Sequence, residues 1–463
     1  MATKPTQTAT VTGPVTGGKF GWPFAASLQD VAQLGYIEEE YFLAGSAKRY
    51  RDINDSLSRR DGHWQAEEAG EAPFKTRMIV YRPADPARFN GTVILNWNNV
   101  TAGYDLFNAE SMEIFAGGYA LVCLTPQKAG IEGLTPLRQG LAQWDPERYG
   151  DLSIVSDDYS FDIFTQGALA TGPDRRGDTD PLGGLDVKRV IAWGASQSAG
   201  RLCTYINAIA PLTSALDGYI LAIYFGRGTP LEVGETVVNI NEPQTSSPQD
   251  RLKGNNLIRD DLKVPVFVIN SELESMACYG VRQEDSDTFR YWESAGTCHV
   301  SEQTHAIRKQ LRDRDQIKGR EAAANTNRIP MNPLYDAVFW HMQRWVAEGI
   351  APPSQPKVAF SGEPAQIVRD DHGIATGGIR LPQVEVPTAT NSAIPRGTDV
   401  IAFLDGSSEP FSAEKLLALY GSEANFIDQF ETAAQQAVEA GVLLPRDVPL
   451  LVEEARQQWQ AQT

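Results

Sequence analysis

The chain has 463 residues, of which 42% are hydrophobic, so it is long enough to bury a large core. Its formal net charge of −18 argues against nucleic acid or an anionic membrane surface as a partner, because phosphate groups are bound by clustered Lys and Arg. It has no apolar run of about 18 residues, and its first residues lack the apolar region of a signal peptide. We therefore expect a cytoplasmic protein with a small-molecule substrate and no membrane partner; a homo-oligomer is compatible with the sequence.

Apolar runs typical of strands alternate along the chain with segments of helical periodicity. This alternation predicts an α/β fold, with a mostly parallel sheet of eight strands flanked by helices. The predicted strands are residues 37–45, 75–82, 91–97, 119–125, 188–194, 217–224, 264–270 and 289–294. The predicted helices are residues 105–116, 159–171, 197–210 and 332–348, followed by two or three amphipathic helices within 411–460.

Two long connections break the alternation, at about residues 126–186 and 225–262. Both leave the predicted sheet at the carboxyl ends of strands, where ligands bind in open α/β sheets, so we expect cap insertions over the substrate pocket. Aromatic residues of the first connection either line that pocket or, more commonly for any single residue, pack the cap: Trp144, Tyr149, Tyr159, Phe161 and Phe164.

The predicted organisation has three parts. Residues 1–74 form an N-terminal segment with the first strand, and residues 75–350 form the core that carries both cap insertions. Residues 351–463 begin with the Pro-rich run Ala351 to Pro356 and have too few periodic apolar residues at first for a core of their own. We expect them to be a C-terminal extension packed on the core.

Residues 190–201 read VIAWGASQSAGR, an apolar strand that leads into a helix through the pattern G-x-S-x-S. A serine at the apex of such a turn needs small residues two positions away on either side, here Gly194 and Ser198. The next helix would begin beneath the serine, so the N–H of Gln197 can stabilise the oxyanion that forms when Ser196 attacks a carbonyl. Ser196 is therefore the predicted nucleophile, and an ordinary loop serine is the alternative.

A nucleophilic serine needs a base, and in enzymes with this turn an acid and then a histidine follow the serine along the chain. His63 precedes the serine, and the periodicity around His341 is that of a partly buried helix residue. An acidic, glycine-containing turn is expected around His372, and a loop or helix start at His305. His299 lies on the loop after the last predicted strand and is the predicted base; a loop histidine with local hydrogen bonds alone is the alternative.

The predicted strand 264–270 leads directly into Ser271-Glu272-Leu273-Glu274, which offers two carboxylates. We predict Glu274 as the acid because it stands three residues after the small residue that closes the strand, with Glu272 as the alternative. The acid would accept the Nδ1 hydrogen of His299 and fix its tautomer.

A second oxyanion donor is expected after the predicted strand 91–97. The donor would be a backbone N–H of Asn98 or Asn99, and the sequence does not distinguish between them. The alternative is that the two asparagines only build a turn.

Several segments together resemble the bacterial α/β-hydrolase domain-containing family. They are RPADPARFNGTV at 82–93, DPERYG at 145–150, DYSFDIF at 158–164, GASQSAGR at 194–201 and GGIR at 377–380, so the likeness runs from about residue 20 to 455. The resemblance implies the α/β-hydrolase fold and serine-dependent hydrolysis of a carboxylic ester or lactone, with Ser196 matching the nucleophile and His299 the base. The chain departs from the family pattern at Asn98, where an apolar residue is expected, at Glu274, where aspartate is expected, and at Cys298, where serine is more usual.

These observations predict two-step acyl transfer through an acyl-enzyme on Ser196. The alternatives are an acyltransferase with a non-water acceptor and a catalytically silent ligand-binding protein on the same fold. No nucleotide-binding or EF-hand motif occurs in the sequence, so no cofactor and no metal is expected. The four cysteines show no C-x-x-C pairing and are expected to be free thiols: Cys123, Cys203, Cys278 and Cys298.

Overall fold

A computed structural model describes residues 6–106, 111–135, 137–234, 255–394 and 403–463. The chain divides into two compact units. The first consists of Met1–Val266, Asp287–Phe289 and Leu311–Gly319, and the second of Phe267–Ser286, Arg290–Gln310 and Arg320–Thr463. The domain boundaries that the sequence suggested at residues 74 and 350 stay a prediction.

The first unit is built on a large mixed sheet. Its strands are β1 (Thr10–Thr12), β2 (Tyr36–Asp52), β3 (Ala66–Pro83), β4 (Thr92–Trp97), β5 (Ala120–Leu124), β6 (Ser153–Ile154), β7 (Arg189–Ala195) and β8 (Gly218–Ala222). Their spatial order is β1-β2-β3-β5-β4-β7-β8, with β6 paired to β3. Strands β5, β4, β7 and β8 pair in parallel, whereas the pairs β1–β2, β2–β3, β3–β5 and β3–β6 are antiparallel.

The parallel strands are buried along almost their whole length, and the antiparallel pair β2–β3 is not. Nearly every residue of β4, β5, β7 and β8 is buried, because helices cover both faces of such a sheet. These strands consequently consist of continuous apolar runs, and the predictions for them match the structure closely. Strands β2 and β3 extend well beyond the predicted 37–45 and 75–82. The added part of β2 is mostly half-buried and that of β3 is largely exposed, and both carry several charged residues, so neither has the apolar pattern of a buried strand.

Helices of the first unit include α1 (Glu113–Ala116), α2 (Lys128–Glu132), α3 (Leu141–Trp144), α4 (Pro146–Tyr149), α5 (Ser160–Thr171) and α6 (Gln197–Thr204). Helix α6 continues into one π-helical turn at Tyr205–Ile209. The helix predicted over 105–116 is wrong at residues 105–106 and 111–112, and residues 107–110 lie outside the described ranges. Asn99 and Leu106 form an antiparallel bridge, in which the N–H of Leu106 donates to the carbonyl of Asn99 (2.7 Å), and the described helix begins only at Glu113.

Four of the five aromatic residues named in the connection 126–186 are buried packing residues in the structure. Trp144 stacks on Phe20 with ring centroids 4.1 Å apart, and Phe161 and Phe164 lie against Trp97. Tyr149 is fully buried, and Tyr159 is half-buried. Residues 235–254 of the second predicted cap insertion lie outside the described ranges, so a cap over Ser196 stays a prediction.

The second unit combines the last two core strands with the C-terminal extension. Strands β9 (Val266–Asn270) and β10 (Phe289–Glu293) are neighbours, and short pairs form between β11 (Phe360–Ser361) and β12 (Gln366–Ile367) and between β13 (Ala389–Ser392) and β14 (Ser407–Pro410). The helices that follow α6 in the described chain are α7 (Glu272–Cys278), α8 (Glu302–Asp315), α9 (Asn332–Glu348), α10 (Pro382–Glu385), α11 (Ala413–Tyr420), α12 (Glu423–Glu439) and α13 (Val448–Gln462).

Helices α11, α12 and α13 are the terminal amphipathic helices that the sequence predicts. Their apolar faces meet through Tyr420, Phe426 and Trp459, and the rings of Phe426 and Trp459 stack at 5.0 Å. Across the described ranges, no helix is both long and apolar enough to cross a membrane. All four cysteines are buried and free, as expected.

Candidate active site

Ser196 occupies a sharp turn between strand β7 and helix α6. Its backbone has φ 60° and ψ −117°, a conformation that costs a non-glycine residue on the order of 1–3 kcal/mol. The turn is held from both sides, because the N–H of Ser196 donates to the carbonyl of Ala222 in β8 (2.9 Å) and its carbonyl accepts from the N–H of Gly200 (3.2 Å). The chain therefore makes the strand-to-helix turn that the pattern G-x-S-x-S predicts.

The small residues on either side of the serine have a steric cause. A Cβ atom at Gly194 would lie 2.8 Å from the carbonyl oxygen of Ser198 and 2.9 Å from Cδ1 of Leu202, so no other residue fits without a shift of the backbone. Ser198 is fully buried, and its Oγ has no hydrogen-bond partner in the described part of the chain. Position 198 therefore requires a small side chain rather than a hydroxyl group.

The loop that follows β4 is tied to this turn by two side-chain amides. Asn99 Nδ2 donates to the carbonyl of Ala195 (3.1 Å), and the N–H of Val100 donates to Gln197 Oε1 (3.3 Å). The N–H of Gln197 is the first of helix α6, where amides have no acceptor within the helix. The N–H of Asn98, in contrast, already donates to the carbonyl of Leu124 (3.0 Å).

Asn98 has polar partners on both atoms of its side-chain amide. Its Oδ1 accepts from Asn96 Nδ2 (2.7 Å), and its Nδ2 donates to Asp105 Oδ2 (3.2 Å). Asp105 in turn pairs with the buried Arg77 (2.7 Å), whose guanidinium also contacts Glu40. An apolar residue at position 98 would remove one hydrogen bond from each of the buried side chains of Asn96 and Asp105, which explains this departure from the expected family pattern.

Glu274 and His299 form a buried hydrogen-bonded pair in the second unit. His299 Nδ1 donates to Glu274 Oε1 (2.7 Å), and the His299 side chain is only 6% exposed. The other oxygen, Oε2, accepts from the N–H of Ser271 (3.1 Å) and from the Ser271 hydroxyl. The N–H of Leu273 donates to that hydroxyl (3.2 Å), so Ser271 and Glu274 make a capping box at the start of α7.

This capping box is a sequence signal that would have favoured Glu274 by itself. The motif S-x-x-E places its glutamate in the first turn of the helix, where the carboxylate is held by local contacts with the N-cap serine. Glu272, the alternative acid, is also fully buried but binds other groups: the N–H of Gly296 (2.8 Å), Arg369 Nη2 (2.8 Å) and the N–H of Ala393 (3.3 Å). Of the two carboxylates, Glu274 contacts the imidazole.

The other histidines have structural contacts of their own. His305 lies in α8 and contacts Asp405 Oδ1 (3.0 Å), which also pairs with Arg320. Burial raises the pKa of Asp405, but the hydrogen bonds from His305 and Arg320 outweigh it and hold that pKa at about 2. His372 lies in a turn with its ring 5.6 Å from that of Phe411.

His341 makes a specific prediction for the pH dependence of stability. It is buried in α9, donates from Nε2 to the carbonyl of Gly441 (2.7 Å), and burial lowers its pKa from 6.5 to about 4. The unfolded chain therefore binds a proton between pH 6.5 and 4 that the folded chain does not, so the free energy of unfolding falls as the pH is lowered through this window, by on the order of 3 kcal/mol. Urea titrations at several pH values measure the free energy of unfolding of wild type and of His341→Gln. The same dependence of that free energy on pH in both proteins would contradict the prediction.

One group of residues in the described chain has the composition of a metal site. The ligand atoms of His63, Asp260 and Asp261 lie within 4.8 Å of one another. However, Arg259 binds both oxygens of Asp261, at 2.6 and 2.9 Å, so that carboxylate is already neutralised. The group therefore gives no reason to assign a metal.

Comparisons with known proteins give one match over nearly the whole chain. A family model described as "Alpha/beta hydrolase domain" matches residues 11–453. No curated protein matches the chain in sequence. Three similar solved structures are brefeldin A esterase, a bacterial homologue of human hormone-sensitive lipase (11% identity over 59% of this chain and 78% of that chain, TM-score 0.28), esterase Est22 (12%, 58% and 77%, TM-score 0.30) and acetyl xylan esterase 1 from Thermoanaerobacterium sp. JW/SL YS485 (11%, 60% and 81%, TM-score 0.28). At these scores the structural likenesses carry no argument, and the family match is the informative one.

Proposed function

The chain belongs to the alpha/beta hydrolase domain family, and from that premise we propose that it is a serine hydrolase that cleaves a carboxylic ester or lactone through an acyl-enzyme. The observation that carries the proposal is the 2.7 Å hydrogen bond between His299 Nδ1 and a glutamate whose other oxygen is fixed by Ser271. A protein that only bound a ligand would have no need of a buried, oriented imidazole–carboxylate pair after a strained serine turn.

In the proposed first step, Ser196 Oγ attacks the carbonyl carbon while His299 Nε2 takes the hydroxyl proton. Glu274 keeps the Nδ1–H tautomer and stabilises the imidazolium. The bond between the carbonyl carbon and the leaving oxygen then breaks, and His299 gives its proton to the departing alcohol. Water repeats the sequence with the same base, which releases the carboxylic acid and restores Ser196; with a lactone the acid and the alcohol are one product.

We assign the oxyanion donors to the N–H groups of Gln197 and Asn99. Gln197 begins a helix directly after the serine, so we expect its amide to face the developing negative charge, which the helix dipole also favours. Asn98 is set aside because its N–H donates to Leu124 (3.0 Å), and a donor already used in the sheet is not free for the substrate. Glu274 is assigned as the acid because it, and not Glu272, contacts His299.

A fluorophosphonate probe followed by peptide mapping tests the proposal. We expect the probe to modify Ser196 in the wild type and to leave Ser196→Ala unmodified, because the probe reacts with a serine activated by a base. A panel of p-nitrophenyl esters of increasing acyl length, aryl esters and lactones then identifies the substrate class. No adduct would point to a silent binding protein, and an adduct with turnover only when an alcohol or amine acceptor is present would point to an acyltransferase.

A further inference from the structure

The loop that carries His299 is held by residues that come much later in the chain. We call residues 294–300 the histidine loop. The N–H of Ala295 donates to the carbonyl of Ile379 (2.9 Å), and the N–H of Ile379 donates back to the carbonyl of Glu293 (2.7 Å). At the other end of the loop, the N–H of Val300 donates to the carbonyl of Leu404 (2.9 Å). Both ends of the histidine loop therefore depend on the C-terminal extension.

Glu272 connects the middle of the histidine loop to that extension. One of its oxygens accepts from the N–H of Gly296, and the other accepts from Arg369 Nη2 and the N–H of Ala393. Glu272 is fully buried, and a buried carboxylate is tolerated only when it is paired and hydrogen-bonded. Arg369 supplies the positive charge from a side chain that is 25% exposed.

Gly296 has the backbone that such a contact requires. Its φ is +69°, and a Cβ atom there would lie 2.9 Å from Val384 Cγ2, so the extension packs directly on the glycine. Its N–H is bound by Glu272, and its carbonyl accepts from Asn327 Nδ2 (2.8 Å). Both polar groups of this residue are thus held, three residues before His299.

We propose that Glu272 and Arg369 are positioning residues that hold the histidine loop where His299 meets Glu274. The two carboxylates at the start of α7 then have separate tasks: Glu274 binds the imidazole, and Glu272 binds the backbone that carries it. The kinetic consequence rests on the proposed function, whereas the structural consequence rests only on the contact between His299 and Glu274.

The expected effect is on turnover rather than on substrate affinity. Removing the Arg369 guanidinium leaves Glu272 buried without a cation, and the histidine loop loses the pairing that fixes its middle. Because a misplacement of about 1 Å in a catalytic group can cost about 10²-fold in rate, we expect Arg369→Ala to lower kcat by about tenfold or more. KM should stay within about twofold, because neither residue is assigned a contact with the substrate.

The test compares Arg369→Ala, Arg369→Lys and the control Arg456→Ala. Arg456 forms its ion pairs with Glu423 and Glu453 on the terminal helices, so the control removes an arginine of the same extension that has no assigned part in the site. The measurements are kcat and KM for an ester, and the downfield proton resonance of His299 Nδ1–H, which is assigned by its loss in His299→Ala.

We expect Arg369→Ala to shift or broaden the resonance and to lower kcat, Arg369→Lys to restore most of both, and Arg456→Ala to change neither. An unchanged resonance and kcat in folded Arg369→Ala would overturn the proposal, and so would an equal loss in Arg456→Ala. If Arg369→Ala does not fold, Glu272→Gln decides in the same way: a shifted resonance with lowered kcat supports the proposal, and unchanged values overturn it. Full activity in Ser196→Ala would show that the proposed function is wrong. In that case the His299 Nδ1–H resonance would still show whether Arg369 holds the histidine loop.

Discussion

Ser196→Ala and His299→Ala should each lower kcat/KM for ester hydrolysis by about 10⁴-fold or more. Without Ser196 Oγ no acyl-enzyme forms, and without His299 the hydroxyl keeps its proton and remains a weak nucleophile. The residual rate would come from the oxyanion donors and from binding. In the proposed mechanism both residues serve one proton transfer, so the double variant should be about as slow as either single variant rather than slower by the product of both effects.

Ser198 provides a matched control for the substitution of Ser196. Ser198 stands two residues after Ser196, in the first turn of helix α6, fully buried and with no partner for its hydroxyl in the described ranges. Ser198→Ala removes an unsatisfied buried polar group, so we expect unchanged or slightly higher stability and kcat/KM within about threefold of wild type. Steady-state kinetics on the best ester of the panel, with thermal unfolding to confirm the fold, measure both variants. Full activity in Ser196→Ala would refute the assigned nucleophile.

The parts of the fold that could be predicted are those where local sequence and burial agree. Strand β7 and the Ser196 turn are examples, because a strand buried on both faces must be apolar and the turn after it demands Gly194 for steric reasons. All eight predicted strands overlap a strand of the structure. The helix predicted over 105–116 does not begin at residue 105, because the pairing of Asn99 with Leu106 overrides the local helical pattern there.

The role of Glu272 could not be predicted from the residues next to it in the sequence. Its partners Arg369 and Ala393 come 97 and 121 residues later, and nothing in the run Ser271 to Glu274 indicates them. The sequence therefore offers two glutamates, separated by one residue, as alternatives for one role. In the structure each has its own set of donors, and the choice between them follows from contacts that only folding creates.

The contrast between these two glutamates gives the second large prediction. We expect Glu274→Gln to lower kcat by about 10³ to 10⁴-fold, because a neutral amide cannot stabilise the imidazolium and can hold His299 in the wrong tautomer. Glutamine keeps the size of the side chain and can still accept from Ser271, so the capping box and the fold should survive.

Glu272→Gln provides the comparison, since it makes the same chemical change two residues away. An amide oxygen at position 272 still accepts from Gly296, but the amide nitrogen cannot accept from Arg369 and Ala393, and the charge opposite Arg369 is lost. We therefore expect a decrease in kcat of about tenfold. We expect kcat of the two variants, measured on one ester at one pH, to differ by about two or more powers of ten. This difference assigns the acid, because a charge that faces the developing imidazolium stabilises the transition state more than a charge that only binds backbone. Equal losses would contradict the assignment of Glu274 as the acid. A larger loss in Glu272→Gln would transfer the acid role to Glu272 and leave the contact between Glu274 and His299 as a structural one.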